Sequence, residues 1–172
     1  MADAAAPLRI EPASEADVPL ILGFIRELAE YERLLEHVVA TEELLREQLF
    51  GERPGAEVVI ARWRGEPVGF ALFFHNFSTF VGRRGLYLED LYVRQAYRGK
   101  GVGRALLAFL ARTAVARGCG RLEWWVLDWN EAAIRFYRSL GAQAMSDWTV
   151  YRLAGNPLRA LAQAAGADEP GR

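Results

Sequence analysis

A glycine-rich turn between an apolar segment and a helical segment constrains this chain more than any other feature. Residues 95–104 are QAYRGKGVGR, with glycines at 99, 101 and 103, and they follow the apolar stretch LYLEDLYVR. The apolar spacing of the next segment, VGRALLAFLARTAVARG, predicts a helix. The sequence therefore predicts a strand, a glycine turn, and a helix that begins at the turn.

The start of that helix is a candidate site for an anion. The N–H groups of a first helical turn lack intrahelical partners, and the helix dipole adds roughly half a positive charge there. Glycines let the backbone approach a ligand closely, while Arg98, Lys100 and Arg104 add positive charge. A pyrophosphate would suit such a site. The alternative is a plain strand-to-helix turn with solvated basic side chains, because short glycine motifs also match by chance.

Two common phosphate-binding motifs are absent from this turn. The P-loop pattern fails because Lys100 is followed by Gly101, and the dinucleotide pattern fails because Arg104 stands where it needs a third glycine. A third pattern, R-x-x-G-x-G, fits with Arg98, Gly101 and Gly103.

Periodicities elsewhere in the chain predict a mixed α/β fold. A first strand precedes two helices, the first capped by Ser14 or Asp17 and the second by Thr41. A meander of three strands follows, and strands then alternate with helices, which favours one parallel pair. The predicted order is β-α-α-β-β-β-α-β-α-β, with a last strand at 148–153 (WTVYRL) and a further one near 143–145. We therefore expect an α/β (α+β) fold, with a mixed sheet of six to seven strands, about four helices and a short tail helix at Pro157.

Composition limits the size and the partners of the protein. With 172 residues, 52% of them apolar, the chain predicts a single domain with a core at about 8–153 and a tail at 154–172. The net charge of -1 gives no basic excess, so we expect no nucleic-acid partner. One cysteine, an N-terminus unlike a signal peptide and the lack of long apolar runs predict a cytoplasmic protein without membrane contact. His37 and His75 show no ligand spacing, and no metal is predicted.

Four segments in a fixed order resemble the GNAT superfamily of acetyl-CoA-dependent N-acetyltransferases. They are the strand ending EDLYV, the R-x-x-G-x-G turn, the strand RLEWWVL and the helix in WNEAAIRFYRSLGA. The strings IRELAEYERL, LYLEDLYV, YRGKGVG and WNEAAIRFYRSLGA are similar to the diamine acetyltransferases, which include spermidine/spermine and thialysine acetyltransferases. The resemblance covers about 8–153. It implies the GNAT fold with a bulged strand that splays the sheet, acetyl-CoA as cosubstrate, and a homodimer.

The resemblance also implies which residues hold the coenzyme. Its pyrophosphate is expected on the backbone amides of the glycine turn, and its pantetheine arm on the backbone of the preceding strand. A predicted helix N-cap and a tyrosine of the last helix match further contacts in the family. The implied residues are Leu91, Tyr92, Val93, Arg98, Gly99, Lys100, Gly101, Val102, Gly103, Asn130 and Tyr137.

Two side chains are implied in catalysis, by direct attack of the amine in a ternary complex. Tyr137 would protonate the departing thiolate, a role that suits a phenol with a pKa of about 10; by position alone, it is more simply a packed core tyrosine. Glu89 either accepts the proton of the amine or only attracts its charge, and both roles stay open. The spacing of the leucines around 89–90 favours a bulge there over a strand buried on both faces.

Acidic residues are expected to recognise the acceptor. The resemblance assigns Tyr31 and Glu32 to the amine, with Glu89 and Asp90 beside them, and an acidic pocket would attract a cationic amine. The alternative places Glu32 on an ordinary solvated helix face. The family's acidic segment after GA is reduced here to QAMSD, so a shorter diamine or a thialysine-like amine stands beside spermidine and spermine as the acceptor. Two further hypotheses stay open, a GNAT for peptide, protein or aminoglycoside amines and a non-catalytic acyl-CoA-binding module.

Overall fold

The computed structural model describes residues 7–166, which divide after Trp125 into two compact units. The first unit contains the strands β1 (Leu8–Pro12), β2 (Glu57–Trp63), β3 (Glu66–Ser78), β4 (Arg83–Val93) and β5 (Leu122–Trp124), and the helices α1 (Val18–Tyr31), α2 (Glu42–Phe50) and α3 (Val102–Ala116). Short 3-10 turns occupy Glu15–Asp17, Leu35–His37 and Gln95–Tyr97. The second unit contains α4 (Glu131–Ser139) and α5 (Gly155–Gly166).

One mixed sheet forms the first unit, with the strand order β1-β2-β3-β4-β5. The strands β1 to β4 pair antiparallel, and β5 pairs parallel with β4. This arrangement confirms the mixed sheet that the meander and the later strand–helix alternation predicted.

Helices cover both faces of this sheet. On one face, Ile21 and Phe24 of α1 pack against Ile60 and Phe70, and the rings of Phe24 and Phe70 stack with their centroids 5.4 Å apart. The β2 residues that face the other way are buried as well, and α3 packs against β1, β3 and β4. Burying a side chain of this size contributes about 1.5–3 kcal/mol to the free energy of unfolding. The two covered faces therefore stabilise the sheet that carries the loops at its edge.

Capping residues fix where the helices begin and end. The Thr41 hydroxyl accepts the Leu44 N–H at 3.3 Å and starts α2, as predicted. Pro19 lies in the first turn of α1, where its missing N–H has no partner to lose. Because α1 ends at Tyr31, Tyr31 and Glu32 stand at its C-terminal end, beside the sheet.

A β-bulge lies in β4 at Glu89. Leu72 pairs with Asp90 and Phe73 with Leu88, so Glu89 is the extra residue of the ladder. The bulge that the leucine spacing predicted is therefore confirmed. Pairing between β4 and β5 covers only Leu86 to Leu88, so β4 runs on from the bulge to Val93 with no β5 ladder beside it.

The second unit departs from the sequence prediction. Within residues 7–166 the sheet has five strands, so the expected six to seven is too many, while the five α-helices are the four expected ones and the tail helix. The segments 148–153 and 143–145 form no strand. Strand propensity depends on context, because a strand persists only where a neighbouring ladder satisfies its N–H and C=O groups. The tail helix expected at Pro157 is confirmed as α5.

Candidate active site

The glycine turn presents unused backbone amides at the start of α3. Gly99 and Gly101 have φ values of 74° and 85°, a left-handed conformation that other residues rarely adopt. Gly101 is the N-cap of α3, so the N–H groups of the first helical turn have no intrahelical partners. A Cβ atom at Gly99 or Gly101 would meet no atom within 4 Å, which shows open space beside this backbone. The turn therefore has both the donors and the room for an anion.

Arg98 differs from the rest of the turn. Its backbone N–H donates to the Gln95 carbonyl at 3.1 Å, so the backbone amides available to an anion begin at Gly99. Its side chain points back toward the sheet, where Nε donates to the Val93 carbonyl at 2.9 Å. The guanidinium carbon lies 4.5 Å from the ring centroid of Tyr31 and 5.7 Å from that of Tyr92.

The other two basic residues of the turn stay near α3. Lys100 places its Nζ 5.0 Å from the ring centroid of Tyr97. Arg104 lines a groove of about 470 Å³ between β1 and α3, together with Gly101 and Arg112. Positive charge therefore surrounds the helix start, where it strengthens the attraction for an anion.

Beyond the bulge, β4 has no further strand of the first unit on the side away from β3, where the Val93 carbonyl accepts the Arg98 Nε–H. Leu91, Tyr92 and Val93 pair with β3 on one side, whereas the β5 ladder on the other side ends at Leu88. Gly69 of β3 permits close packing here, because a Cβ atom on it would come within 2.5 Å of the Tyr92 carbonyl oxygen. An extended ligand arm fits such an edge by adding backbone hydrogen bonds.

Three carboxylates converge beside this edge. Asp90 is half-buried, and burial together with the charges of Glu89 and Glu32 raises its pKa to about 6. Burial also raises the pKa of Glu32. Among residues 7–166, no cationic side chain or hydrogen-bond donor accompanies the Asp90 carboxylate. A half-buried carboxylate among others is costly unless a cation joins it.

An ion pair beside the site was not predicted from the sequence. The Arg94 guanidinium donates to both carboxylate oxygens of Glu27, with the shortest contact at 2.8 Å. This pair ties α1 to the end of β4, and burial and the Glu27 charge raise the pKa of the neighbouring Tyr92 phenol. No local sequence pattern predicts this pair, because its two residues are 67 positions apart in the sequence.

The structure brings the predicted residues of the first unit together. Tyr31 and Glu32 end α1, Glu89 and Asp90 form the bulge, and the coenzyme residues of β4 and of the glycine turn follow directly. Asn130 and Tyr137 belong to the second unit, where the Asn130 side chain accepts the Ala133 N–H at 3.2 Å and caps α4. The N-cap prediction is confirmed, while the roles of Asn130 and Tyr137 toward a coenzyme stay predictions.

The described residues contain neither a metal-ligand cluster nor a helix suited to a membrane. Between residues 7 and 166, no three His, Cys, Asp or Glu side chains cluster as metal ligands would. None of the helices in that range combines the length and apolar character that crossing a bilayer requires.

Comparisons with known proteins agree with this geometry. The model of the acetyltransferase (GNAT) family matches residues 24–142. A thialysine N-epsilon-acetyltransferase from Bos taurus is 42% identical over 89% of this chain and 96% of its own length. An L-ornithine N5-acetyltransferase from Arabidopsis thaliana is 34% identical over 89% of this chain and 87% of its own. A solved integron cassette protein of V. cholerae superimposes with a TM-score of 0.78 and 30% identity, covering 92% of this chain and 99% of the other. The chain therefore belongs to the acetyltransferase (GNAT) family and is an N-acetyltransferase.

Proposed function

We propose that this enzyme transfers the acetyl group of acetyl-CoA to a primary amine of a small cationic acceptor, such as a diamine or a thialysine-like amine. The observation that carries this proposal is the carboxylate cluster at the bulge. Burial and the charges of Glu89 and Glu32 oppose the negative charge of Asp90, and an acceptor ammonium would stabilise that charge. The thialysine and ornithine named for the two relatives are both acceptors of this chemical type.

The glycine turn and the edge of β4 beyond the bulge suit the coenzyme. A pyrophosphate requires several N–H donors with open space beside them, and the left-handed glycines at 99 and 101 provide that backbone. The residues that would hold the coenzyme are Gly99, Lys100, Gly101, Val102 and Gly103 at the pyrophosphate, Leu91, Tyr92 and Val93 along the arm, and Asn130 and Tyr137 from the second unit. When bound, acetyl-CoA supplies the acetyl group as an activated thioester.

The side chains divide the proton transfers between them. Glu89, exposed at the bulge, removes a proton from the acceptor ammonium, directly or through water, and leaves a neutral nucleophilic amine. Asp90 and Glu32 hold the acceptor beside it by their charge. The neutral amine attacks the thioester carbon, so that the new C–N bond forms as the C–S bond breaks in the ternary complex. The Tyr137 phenol gives its proton to the departing sulfur and regains one from the acylated nitrogen, directly or through water.

The wider properties follow from the family. The family match at 24–142 crosses from the first unit into the second, so we infer that both belong to one catalytic domain. We also propose a homodimer in the cytoplasm, as in the diamine acetyltransferases that the sequence resembles.

A thiol-release assay with acetyl-CoA tests the proposed function. The purified enzyme should acetylate amines from a panel of diamines, polyamines, thialysine and ornithine, and mass spectrometry of the products identifies the acceptors. Peptides and aminoglycosides in the same panel test the other GNAT acceptors. Coenzyme binding in calorimetry without acetylation of any amine would contradict the proposal and favour a non-catalytic module.

A further inference from the structure

Arg98 occupies an unusual place for a residue of the glycine turn. It lies between the end of β4 and the end of α1, with Nε on the Val93 carbonyl and its guanidinium carbon 4.5 Å from the Tyr31 ring centroid. A guanidinium over a tyrosine ring is attracted by the ring's negative face. The side chain is therefore held on the side of the turn that faces Tyr31 and Tyr92, away from the amides at the start of α3.

The outer edge of this guanidinium is available to a ligand. Within residues 7–166, Nε makes the one side-chain hydrogen bond of Arg98, and neither terminal nitrogen has a hydrogen-bond or ion-pair partner. The side chain is exposed. A guanidinium binds a carboxylate through two parallel N–H···O bonds, a geometry that lysine cannot reproduce.

The distance from the carboxylate cluster suits an amino acid with a terminal amine. Val93 lies three residues after Asp90 on β4, which is about 10 Å along a strand. Tyr31 is the immediate neighbour of Glu32, so the guanidinium on the Tyr31 ring and the Glu32 carboxylate both belong to the region around the end of α1. The side-chain amine of ornithine is about 6 Å from its carboxylate carbon when extended. A hydrogen bond of about 3 Å at each end brings the span to about 12 Å.

A fixed guanidinium here also disfavours one class of acceptor. A diamine or polyamine brings a second ammonium to the far end of the site, where it meets the like charge of Arg98. An amino acid brings a carboxylate to the same place.

From these contacts we propose that Arg98 binds the α-carboxylate of the acceptor, so that the preferred substrates are basic amino acids with a terminal amine, in place of diamines or polyamines. This proposal rests on the proposed function, since it names the acceptor class of that site. Arg98 is then a specificity residue that contacts the substrate, although its motif belongs to the coenzyme turn.

Two matched pairs of acceptors test this directly. Ornithine differs from putrescine, and lysine from cadaverine, by the α-carboxylate alone. The wild-type enzyme should favour the amino acid of each pair by roughly 10- to 100-fold in kcat/KM, which is the value of a hydrogen-bonded charge pair. Arg98→Met should reduce this preference to within about threefold, and Arg98→Lys should restore only part of it because the paired geometry is lost.

Binding measurements separate this role from a role at the phosphates. Calorimetry of the coenzyme-free enzyme should show tighter binding of ornithine than of putrescine, and Arg98→Met should remove the difference. Arg104→Met is the matched control, because it removes a charge at the start of α3 and should weaken coenzyme binding while leaving the ornithine-to-putrescine ratio unchanged.

The outcomes distinguish the two proposals. Equal or better use of putrescine and cadaverine by the wild-type enzyme would overturn the carboxylate proposal and leave the proposed function standing. Failure to acetylate any amine would overturn the proposed function. If Arg98→Met does not fold, as judged by thermal denaturation, Arg98→Lys provides the same comparison, and a preference that is unchanged in Arg98→Lys would overturn the role of Arg98.

Discussion

Glu27 and Arg94 join α1 to the end of β4 through a bidentate ion pair. Arg94 donates through Nε and a terminal nitrogen, and a further N–H reaches the Pro67 carbonyl at 3.0 Å. Its guanidinium carbon also lies 4.9 Å from the ring centroid of Phe24. The pair therefore holds together the two elements that carry the proposed amine-binding residues and the proposed coenzyme edge.

Removing the carboxylate of this pair should destabilise the enzyme. Glu27→Ala leaves the Arg94 charge without its acceptor, and we expect the free energy of unfolding to fall by about 1–2 kcal/mol, after allowing for side chains that are about a third exposed. Urea denaturation measures the change. Glu131→Ala is the control, because its ion pair with Arg135 is mostly exposed and should contribute no more than about 0.5 kcal/mol. An equal loss in both variants would contradict the structural role of Glu27.

Asp90 should make the stability of the enzyme depend on pH. Burial, Glu89 and Glu32 raise its pKa from 3.8 to about 6, so the folded state binds this proton more tightly than the unfolded state. The Asp90 contribution is therefore fully present below about pH 4 and is lost as the pH rises through about 6. Asp90→Asn should be more stable than the wild type above pH 6, by an amount on the order of 1–2 kcal/mol, and the difference should vanish toward pH 4.

Thermal denaturation between pH 4 and pH 8 measures this difference. Glu52→Gln, at an exposed position in the loop before β2, is the control and should follow the wild type throughout. A stability difference between wild type and Asp90→Asn that stays constant with pH would show that Asp90 does not titrate in this range. The same variant should raise the KM for the amine, because the acceptor ammonium loses its counter-charge.

Gly101 should matter to the coenzyme beyond its effect on stability. Gly101 and Gly118 flank α3 with φ values of 85° and 66°, and a Cβ atom at either would meet nothing within 4 Å. Alanine at either position should therefore lower the free energy of unfolding by a similar amount, about 1–2 kcal/mol, through backbone strain. Only Gly101→Ala should also weaken coenzyme binding, by roughly tenfold, because it distorts the amides at the helix start. Calorimetric titration with CoA tests this, and an equal loss of affinity in Gly118→Ala would remove the glycine turn from the site.

Local chemistry explains what the sequence could predict. Thr41, Asn130 and Gly101 start helices through rules that involve only a few neighbouring residues. The bulge at Glu89 was visible because an inserted residue shifts the leucine alternation. The glycine turn, the bulge and the helix caps at Thr41 and Asn130 are therefore predictable from local sequence, without any tertiary contact.

Long-range contacts explain what the sequence could not predict. Glu27 and Arg94, or Tyr31 and Arg98, meet because the sheet and α1 pack together, and nothing near either residue indicates its partner. For the segment 148–153 the local pattern predicts a strand that the structure does not form. Its alternation is typical of a strand, but a strand also needs a neighbouring ladder, which a one-dimensional pattern does not supply.

Tyr137 provides a direct test of the proposed chemistry. Tyr137→Phe keeps the ring beside Phe136, whose centroid lies 5.5 Å away, and removes only the hydroxyl. If the phenol protonates the departing thiolate, kcat should fall by roughly ten- to a thousandfold while the coenzyme Kd stays nearly constant, as expected for a lost general acid. Tyr151→Phe, an equivalent change in the same unit, should leave kcat unaltered. Single-turnover kinetics with acetyl-CoA and an accepted amine measure the chemical step itself, and an unchanged rate in Tyr137→Phe would exclude the phenol as the acid.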